Sequence, residues 1–172
     1  MSLATVTTFD QLQRPVLVHD SNTERISVHV YLPLDSQTCL AAHVIPGLDS
    51  SFPDQAVTVL LDSGARGRFI NSSSQFLKGV PLCAHKTPRS LVFADGKVTS
   101  TTITHYVELG LKLHPSYPVF SIRFDVMELG GVDIILGSDW LSQERVTLDF
   151  GANRVEFPWV VPGLQVRSAR TQ

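Results

Sequence analysis

The chain has 172 residues, of which 43% are hydrophobic, which suits one globular domain with a substantial core and argues against a second independent domain. Its 14 basic and 16 acidic residues give a formal net charge of −2, so charge predicts neither nucleic acid nor an anionic membrane surface as a partner. No apolar run approaches the roughly 20 residues that cross a bilayer, so we expect no membrane span.

The two cysteines give no sign of an oxidising compartment. Cys39 and Cys83 lack C-x-x-C spacing, and nothing near the N-terminus combines a basic start with a long apolar core. We therefore expect a reduced, intracellular protein and a cytoplasmic location.

Both ends of the chain are polar. Residues 1–23 mix Thr, Gln, Asp and Asn with few apolar positions, and 161–172 end in a polar tail. We predict a flexible N-terminal segment at 1–23, a folded domain at 24–160 and a loosely held C-terminal tail at 161–172.

Three strands are predicted in the first part of this domain. Apolar and polar residues alternate over 25–32, a second apolar stretch covers 39–45, and V-T-V-L-L covers 57–61. The turn-forming run P-G-L-D-S-S-F-P-D at 46–54 separates the last two.

The middle of the domain predicts a projecting hairpin at 89–104. In S-L-V-F-A-D-G-K-V-T-S-T-T-I-T, the pair Asp95-Gly96 lies between two β-rich arms. Asp-Gly is a strong hairpin signal because both residues tolerate positive φ.

The remaining segments predict further strands and one short helix. Y-V-E-L-G-L-K-L and V-F-S-I-R-F-D-V alternate, V-D-I-I-L-G is continuously apolar, and V-T-L-D-F and V-E-F flank the turn G-A-N-R. S-D-W-L-S-Q-E predicts one or two helical turns capped by Ser138 or Asp139. Because short strands dominate, the predicted class is all-β, as a closed or partly closed barrel.

A carboxylate ends the most hydrophobic segment, V-T-V-L-L-D-S-G-A. A strand would deliver Asp62 into a tight turn, where Ser63 can form a hydrogen bond across the turn and Gly64 lets another backbone approach. An ordinary strand-ending turn has the same four letters, and I-I-L-G further on is compatible with a simple core strand. Neither motif alone decides a function.

The combination of motifs is more specific. D-S-G-A followed by F-I, an A-D-G hairpin and D-I-I-L-G-S-D-W-L resembles the retropepsins over residues 55–157. The similarity is closest to the aspartic protease domain of gypsy-type LTR retrotransposons and the host proteins derived from them. Retropepsin-like proteins of the DNA-damage-inducible shuttle type carry similar motifs, so the branch stays open. The resemblance implies the acid protease fold, a closed barrel forming a single lobe with one short C-terminal helix.

The resemblance also implies how the site would work. One D-S-G in a chain of one lobe implies a homodimer with the site on its twofold axis, where two Asp62 carboxylates share a proton. One activates a water that attacks the peptide carbonyl, and the other donates a proton to the carbonyl oxygen. No cofactor and no metal are expected. The implied substrate is a polypeptide, a retrotransposon polyprotein of the Gag-Pol type.

Further roles follow from matching family positions. Ser63 would hold the two active-site turns together across the dimer, Gly64 would accept the substrate backbone, and Ala65 completes the turn. Arg66 stands where retroviral members usually carry an acidic residue, so we expect altered substrate contacts and a preference for an acidic substrate residue. The remaining candidates form the flap or line a side-chain pocket: Phe93, Ala94, Asp95, Gly96, Lys97 and Ile135.

Other chemistries are less well supported. A serine hydrolase would use Ser63 with one of six histidines, but G-x-S-x-G is absent and no spacing singles out a histidine. A zinc site lacks any local ligand pair of the usual spacing. We expect Asp139 and Trp140 to be a helix cap and a core anchor, and we expect three acidic residues to be solvated: Asp125, Glu128 and Asp133.

A second function stays open. The segment at 33–55 is longer than in minimal retropepsins, which predicts an altered terminal-strand interface or weak dimerisation. The alternative is therefore a retropepsin-fold binding or assembly module, with Asp62 intact but a dimer too weak to cleave.

Overall fold

The computed structural model describes residues 16–20, 25–35, 37–46, 55–92, 95–114 and 119–160. The chain divides into two compact units, one comprising Met1–Pro33 with Glu144–Gln172 and the other comprising Leu34–Gln143. The elements are β1 Val16–Asp20, β2 Arg25–Pro33, β3 Cys39–Ile45, β4 Gln55–Asp62, β5 Arg68–Asn71, a 3-10 turn Gln75–Leu77, β6 Cys83–Val92, β7 Val98–Lys112, β8 Phe120–Met127, β9 Ile134–Gly137, α1 Ser138–Gln143, β10 Thr147–Asp149 and β11 Arg154–Val160.

The unit that contains both chain ends is a four-stranded antiparallel sheet in the order β1-β2-β11-β10. Leu32 of β2 lies opposite Val155 of β11, and both side chains are buried. Strand β1 falls within 1–23, for which the sequence predicted a flexible segment; its backbone finds a partner in β2 that local composition does not reveal. The predicted tail at 161–172 lies outside the described residues.

The other unit is a ring of strands. Six strands follow one another in the order β3-β4-β9-β5-β8-β7, and β3 pairs again with β7, while β6 extends the sheet beyond β7. The closing contact comprises only three residue pairs, from His43 opposite Lys112 to Ile45 opposite Gly110. The predicted all-β class with one short helix is confirmed, and the predicted barrel is a ring of strands that is not strictly a barrel.

The predicted alternation sets the core of this ring. In β4, β7 and β8, one face is largely buried and the other is largely polar or exposed, which is the period-2 pattern of a strand packed on one side. Each fully buried aliphatic or aromatic side chain contributes roughly 1.5–3 kcal/mol. The buried face comprises Val57, Val59, Leu61, Val107, Leu109, Leu111, Ile122, Phe124, Ile134 and Leu136.

Two strands of this unit were not predicted at their observed extent. Strand β5 was not predicted at all, because R-F-I-N is too short to show a period. Strand β6 begins at Cys83, well before the predicted hairpin at 89–104. Its early part was not predicted because its side chains are largely exposed and do not alternate between buried and exposed positions. Both strands are defined by their pairing partners, β9 and β8 for β5, and β7 for β6.

Candidate active site

Asp62 is the last residue of β4, where the chain turns. Its Oδ1 accepts hydrogen bonds from the backbone N–H groups of Gly64 (2.9 Å) and Ala65 (3.2 Å). Its Oδ2 has no hydrogen-bond partner among the described residues. One oxygen is therefore held by the turn, and the other is left for chemistry.

The I-L-G motif holds this turn from behind. Strands β4 and β9 run parallel and place Asp62 opposite Gly137. The N–H of Gly137 donates to the carbonyl of Gly67, and the N–H of Ser138 donates to the carbonyl of Ala65, both at 2.8 Å. A Cβ at position 137 would lie 2.6 and 2.7 Å from those two carbonyl oxygens, so only glycine allows this approach.

Asp139 contributes a third contact to the same turn. It lies within α1, and its Oδ1 accepts the N–H of Gly67 at 3.0 Å. Its Oδ2 lies 3.4 Å from Nε of Arg68, whose Nη2 donates to Oε1 of Gln143. The helix begins at Ser138, and the carboxylate predicted to cap it instead contacts the active-site loop.

Trp140, the predicted core anchor, is buried. Its side chain is 1% exposed, and its ring meets that of Phe120 edge-on at 5.7 Å between centroids. This packing fixes the helix that carries Asp139.

The Asp62 turn opens onto a cavity of about 610 Å³. The turn contributes Asp62, Gly64, Ala65 and Arg66, and β9 contributes Ile135, so the structure brings together five of the predicted site residues. The rest of the wall is largely apolar: Phe69, Leu91, Val92, Ile103, Met127 and Leu129, together with Ser90, Arg89 and Asp125. A cavity with apolar walls and a few charged groups is typical of a ligand-binding site.

Of the other predicted site residues, those that the structure describes do not line this cavity. Ser63 is exposed at the tip of the active-site turn. Gly96 has a φ of 81°, as the predicted hairpin tip requires, and both it and its neighbours Asp95 and Lys97 are exposed. Phe93 and Ala94 lie outside the described residues. The arm of the hairpin next to the tip, at 89–92, is what reaches the cavity.

A local contact shapes the hairpin tip. The N–H of Lys97 donates to Oδ1 of Asp95 at 3.0 Å, and its Nζ lies 3.0 Å from Oδ2. This backbone hydrogen bond, followed by the one from the Lys97 side chain, holds the pKa of Asp95 below its usual value.

Asp125 was missed in the sequence. The prediction of a solvated carboxylate is wrong, because Asp125 is 6% exposed and lies in the wall of the cavity. Its Oδ1 is 2.7 Å from Nε2 of His85, and its Oδ2 accepts a hydrogen bond from Nη1 of Arg89 at 2.8 Å. The alternation in β8 places Asp125 on the polar face, and only the position of β6 shows that this face is covered.

The two other acidic residues expected to be solvated differ from each other. Glu128 is exposed, as predicted. Asp133 accepts the backbone N–H of Thr58 at 2.8 Å. It therefore helps to hold β4 beside β9.

Metal-ligand clusters and membrane-spanning helices were both sought in the described part of the chain. Within those residues, no group of three or more His, Cys, Asp or Glu side chains is placed to hold a metal ion. None of the helices there has the length and apolar character to span a bilayer. Both cysteines are free, with Cys39 buried and Cys83 exposed.

Comparison with known proteins gives the family. A model of the PEG10/RTL1 protease domain matches residues 58–160, more than half of the chain. The chain belongs to the PEG10/RTL1 protease domain family. This membership confirms the predicted retropepsin-like, gypsy-derived resemblance. The matched region of this PEG10/RTL1-type domain contains both the Asp62 turn and the I-L-G strand.

Other comparisons add little to that assignment. The chain is similar to the crystal structure of the retroviral protease-like domain of Ddi1 from Leishmania major, with 17% identity and a TM-score of 0.42. The similarity covers 73% of this chain and 96% of that domain. No curated protein sequence matches the chain.

Proposed function

We propose that this chain is an aspartic endopeptidase that works as a homodimer and hydrolyses peptide bonds between two copies of Asp62. The observation that carries the proposal is the geometry of Asp62. One carboxylate oxygen is fixed by two backbone N–H groups, and the carboxylate faces a largely apolar cavity. Membership in a protease domain family supports the same reaction class.

The need for a second copy is supported by the state of Asp125. Among the described residues, Asp125 is the other carboxylate that lines the cavity, and both of its oxygens are engaged, by His85 and Arg89. These two contacts tie the Asp125 carboxylate to β6. A partner carboxylate for Asp62 is therefore best supplied by a second Asp62 on a twofold axis.

In this mechanism two Asp62 carboxylates, about 3 Å apart, hold one proton between them because like charges that close cannot both ionise. The unprotonated one takes a proton from a water, whose oxygen attacks the peptide carbonyl. The protonated one donates its proton to the carbonyl oxygen. Collapse of the tetrahedral intermediate then breaks the C–N bond, and a proton passes to the leaving amine.

The surrounding residues would position the peptide. The apolar wall that includes Phe69 and Ile135 would receive a side chain of the substrate. Gly64 would lie along the substrate backbone, and Ser63 would join the two turns across the dimer. The hairpin with Asp95, Gly96 and Lys97 at its tip, together with Phe93 and Ala94, would close over the peptide and exclude water.

The natural substrate and the cellular location are further parts of the proposal. A protease domain of gypsy-derived type suits a Gag-Pol-type polyprotein as substrate, cut in the cytoplasm. Both statements stay predictions.

The test is peptide cleavage by the wild type and by Asp62→Asn, measured between about pH 4 and pH 7 with a mixed peptide library. The variant should lose at least about 100-fold in rate, the lower end of what a general acid–base group contributes. Glu128→Gln is the matched control, since it makes the same acid-to-amide change at an exposed position outside the cavity lining. Equal cleavage by the wild type and Asp62→Asn would rule out the mechanism.

Sedimentation across a concentration series tests the dimer. Cleavage should appear only where dimers are populated. A chain that stays monomeric and still cleaves peptide would contradict the shared site. A chain that binds peptide without cleaving it would favour the binding or assembly module.

A further inference from the structure

Arg89 lies in the wall of the cavity and is only partly used. Its side chain is 60% exposed, and its Nη1 donates to Oδ2 of Asp125 at 2.8 Å. A guanidinium has five N–H donors, and within the described residues the other four of Arg89 make no hydrogen bond. It is therefore a cation with donor capacity left at the edge of a ligand-sized space.

Asp125 holds this cation in place. The carboxylate is 8% exposed, and its second oxygen is bound by Nε2 of His85 at 2.7 Å. A buried carboxylate requires such partners, because burying an unpaired charge is strongly unfavourable. The Arg89 head group is thus fixed by a buried anchor, which lowers the entropy lost when it binds a ligand.

An irregularity in β6 brings both partners to Asp125. Ala84 lies opposite His105 and Arg89 lies opposite Ile103, so four residues of β6 face a single residue of β7. His85 is the first of these four residues and Arg89 follows the last, and both side chains reach the same carboxylate. Bulges commonly redirect side chains in this way beside functional sites.

The surroundings of Arg89 are apolar. Ile103, directly opposite on β7, packs in a cluster with Phe69 and Leu129, and Leu91 packs against it. All four residues also line the cavity. A peptide that places a large apolar side chain in this pocket would bring a neighbouring side chain to the guanidinium.

The charges of the cavity favour an anion there. The charge of Asp125 is compensated by Arg89, and in the proposed dimer one shared proton halves the charge of each Asp62. Arg66 is a second cation in the lining and has no ion-pair partner among the described residues. Each copy of the cavity therefore has more cationic than anionic character.

We propose that Arg89, positioned by Asp125 and His85, selects peptides that carry an Asp or Glu side chain near a large apolar residue. The proposal rests on the proposed function, because it names the substrate class of the same site. The sequence led us to expect that Arg66 favours an acidic substrate residue. This proposal instead assigns that preference to Arg89 on β6.

The experiment compares matched peptides in which a single Gln is replaced by Glu at each position around a large apolar residue. For wild type we expect one position at which Glu raises kcat/KM about ten-fold over Gln, the size of a charge-assisted hydrogen bond. In Arg89→Met this ratio should fall to about one. Arg89→Lys should retain part of the preference, because the positive charge remains while the planar guanidinium, which can donate two hydrogen bonds to one carboxylate, is lost.

Three further variants separate the alternatives. Arg66→Met should keep the ratio, and so should Arg123→Met, which removes an exposed arginine that lies outside the cavity lining. Arg89→Met combined with Asp125→Asn avoids leaving an uncompensated buried carboxylate, and it should lose the preference while remaining folded.

The outcomes decide between the proposals. A wild-type ratio of one or less at every position, or a ratio that survives in Arg89→Met, overturns the role of Arg89. Loss of the ratio in Arg66→Met alone assigns the preference to Arg66 instead. If the wild type cleaves nothing, fluorescence anisotropy with the same Glu and Gln peptides reads out binding. Tighter Glu binding that depends on Arg89 then supports this inference while the proposed function fails, and no binding at all contradicts both.

Discussion

The active-site turn and the tip of the hairpin are both tight turns after a strand, but they are held in different ways. In the turn after Asp62, the local hydrogen bonds from Gly64 and Ala65 are joined by contacts with distant partners. The N–H of Gly67 donates to Asp139, which is 72 positions away, and the carbonyl of Gly67 accepts the N–H of Gly137. The tip after β6 is fixed by Asp95 and Lys97, which are only two positions apart.

Burial follows the same division. The residues that hold the turn lie beside the buried strand β9 and the buried Trp140. On the hairpin, Val92 and Val98 face each other next to the tip and are 63% and 64% exposed. Segments with few buried contacts open at low free-energy cost, so the tip is suited to movement and the turn to holding a carboxylate still. Substitutions in the two regions should therefore differ strongly in effect.

The largest effect is expected for Gly137→Ala. The new methyl group would lie 2.6 and 2.7 Å from two backbone carbonyl oxygens that cannot move without breaking the turn. We expect a loss of about 3 kcal/mol or more in the free energy of unfolding, as for severe overpacking. Urea unfolding measures it. Gly130→Ala is the control, because a Cβ there meets nothing within 4 Å, and an equal loss in both variants would refute the close-approach argument.

A smaller loss is expected for Asp139→Ala. The change leaves the N–H of Gly67 without its acceptor and removes the carboxylate beside Arg68, at a cost of about 1–3 kcal/mol. Asp139→Asn should lose less, since an amide oxygen can still accept that N–H. Hydrogen exchange at the Gly67 amide reports the contact directly. The exposed Ser142→Ala in the same helix should leave both stability and exchange unchanged.

The smallest effect is expected at the tip. Because the Lys97 backbone N–H and side chain stabilise the charged form, NMR titration should find the pKa of Asp95 below its usual value. The ionised Asp95 carboxylate then contributes to stability at neutral pH, and this contribution is lost as the pH falls through the folded-state pKa of Asp95. Since Asp95 is exposed, unfolding curves should barely change in this range.

Lys97→Met separates the two contributions at the tip. It should raise the pKa of Asp95 only partway, because the backbone hydrogen bond is the larger cause and remains. A complete return to the usual value would show that the tip is held by its side chains alone. In that case, the hydrogen bond from the Lys97 backbone N–H to Asp95 would not hold the tip.

Local sequence patterns predicted much of this fold because strand periodicity is a local property. The alternation over 25–32 and in V-F-S-I-R-F-D-V correctly predicted β2 and β8, and Asp95-Gly96 marked a turn with the expected positive φ at Gly96. Strands β1 and β5 were not predicted, since each is short and depends on backbone partners elsewhere in the chain.

For the site, the order of the motifs led to Asp62 and its turn at 63–65, and to Arg66 and Ile135. All of these residues except Ser63 line the cavity. The same reasoning failed at Asp125. Its position on the polar face of β8 is a correct local inference, but burial depends on β6, whose bulge carries His85 and Arg89 to that carboxylate. Asp139 was recognised as significant, but the helix cap was predicted instead of the contact with Gly67.

The sequence by itself determined the strand periodicity, the two turns and the family, because these depend on neighbouring residues and on the order of short motifs. Only the tertiary structure decided why position 137 must be glycine, what Asp139 holds, and that Asp125 is a buried anchor for Arg89. Each of these depends on a distance between residues far apart in the chain. The burial of a side chain and its partners arise from such packing, and no local pattern in the sequence reveals them.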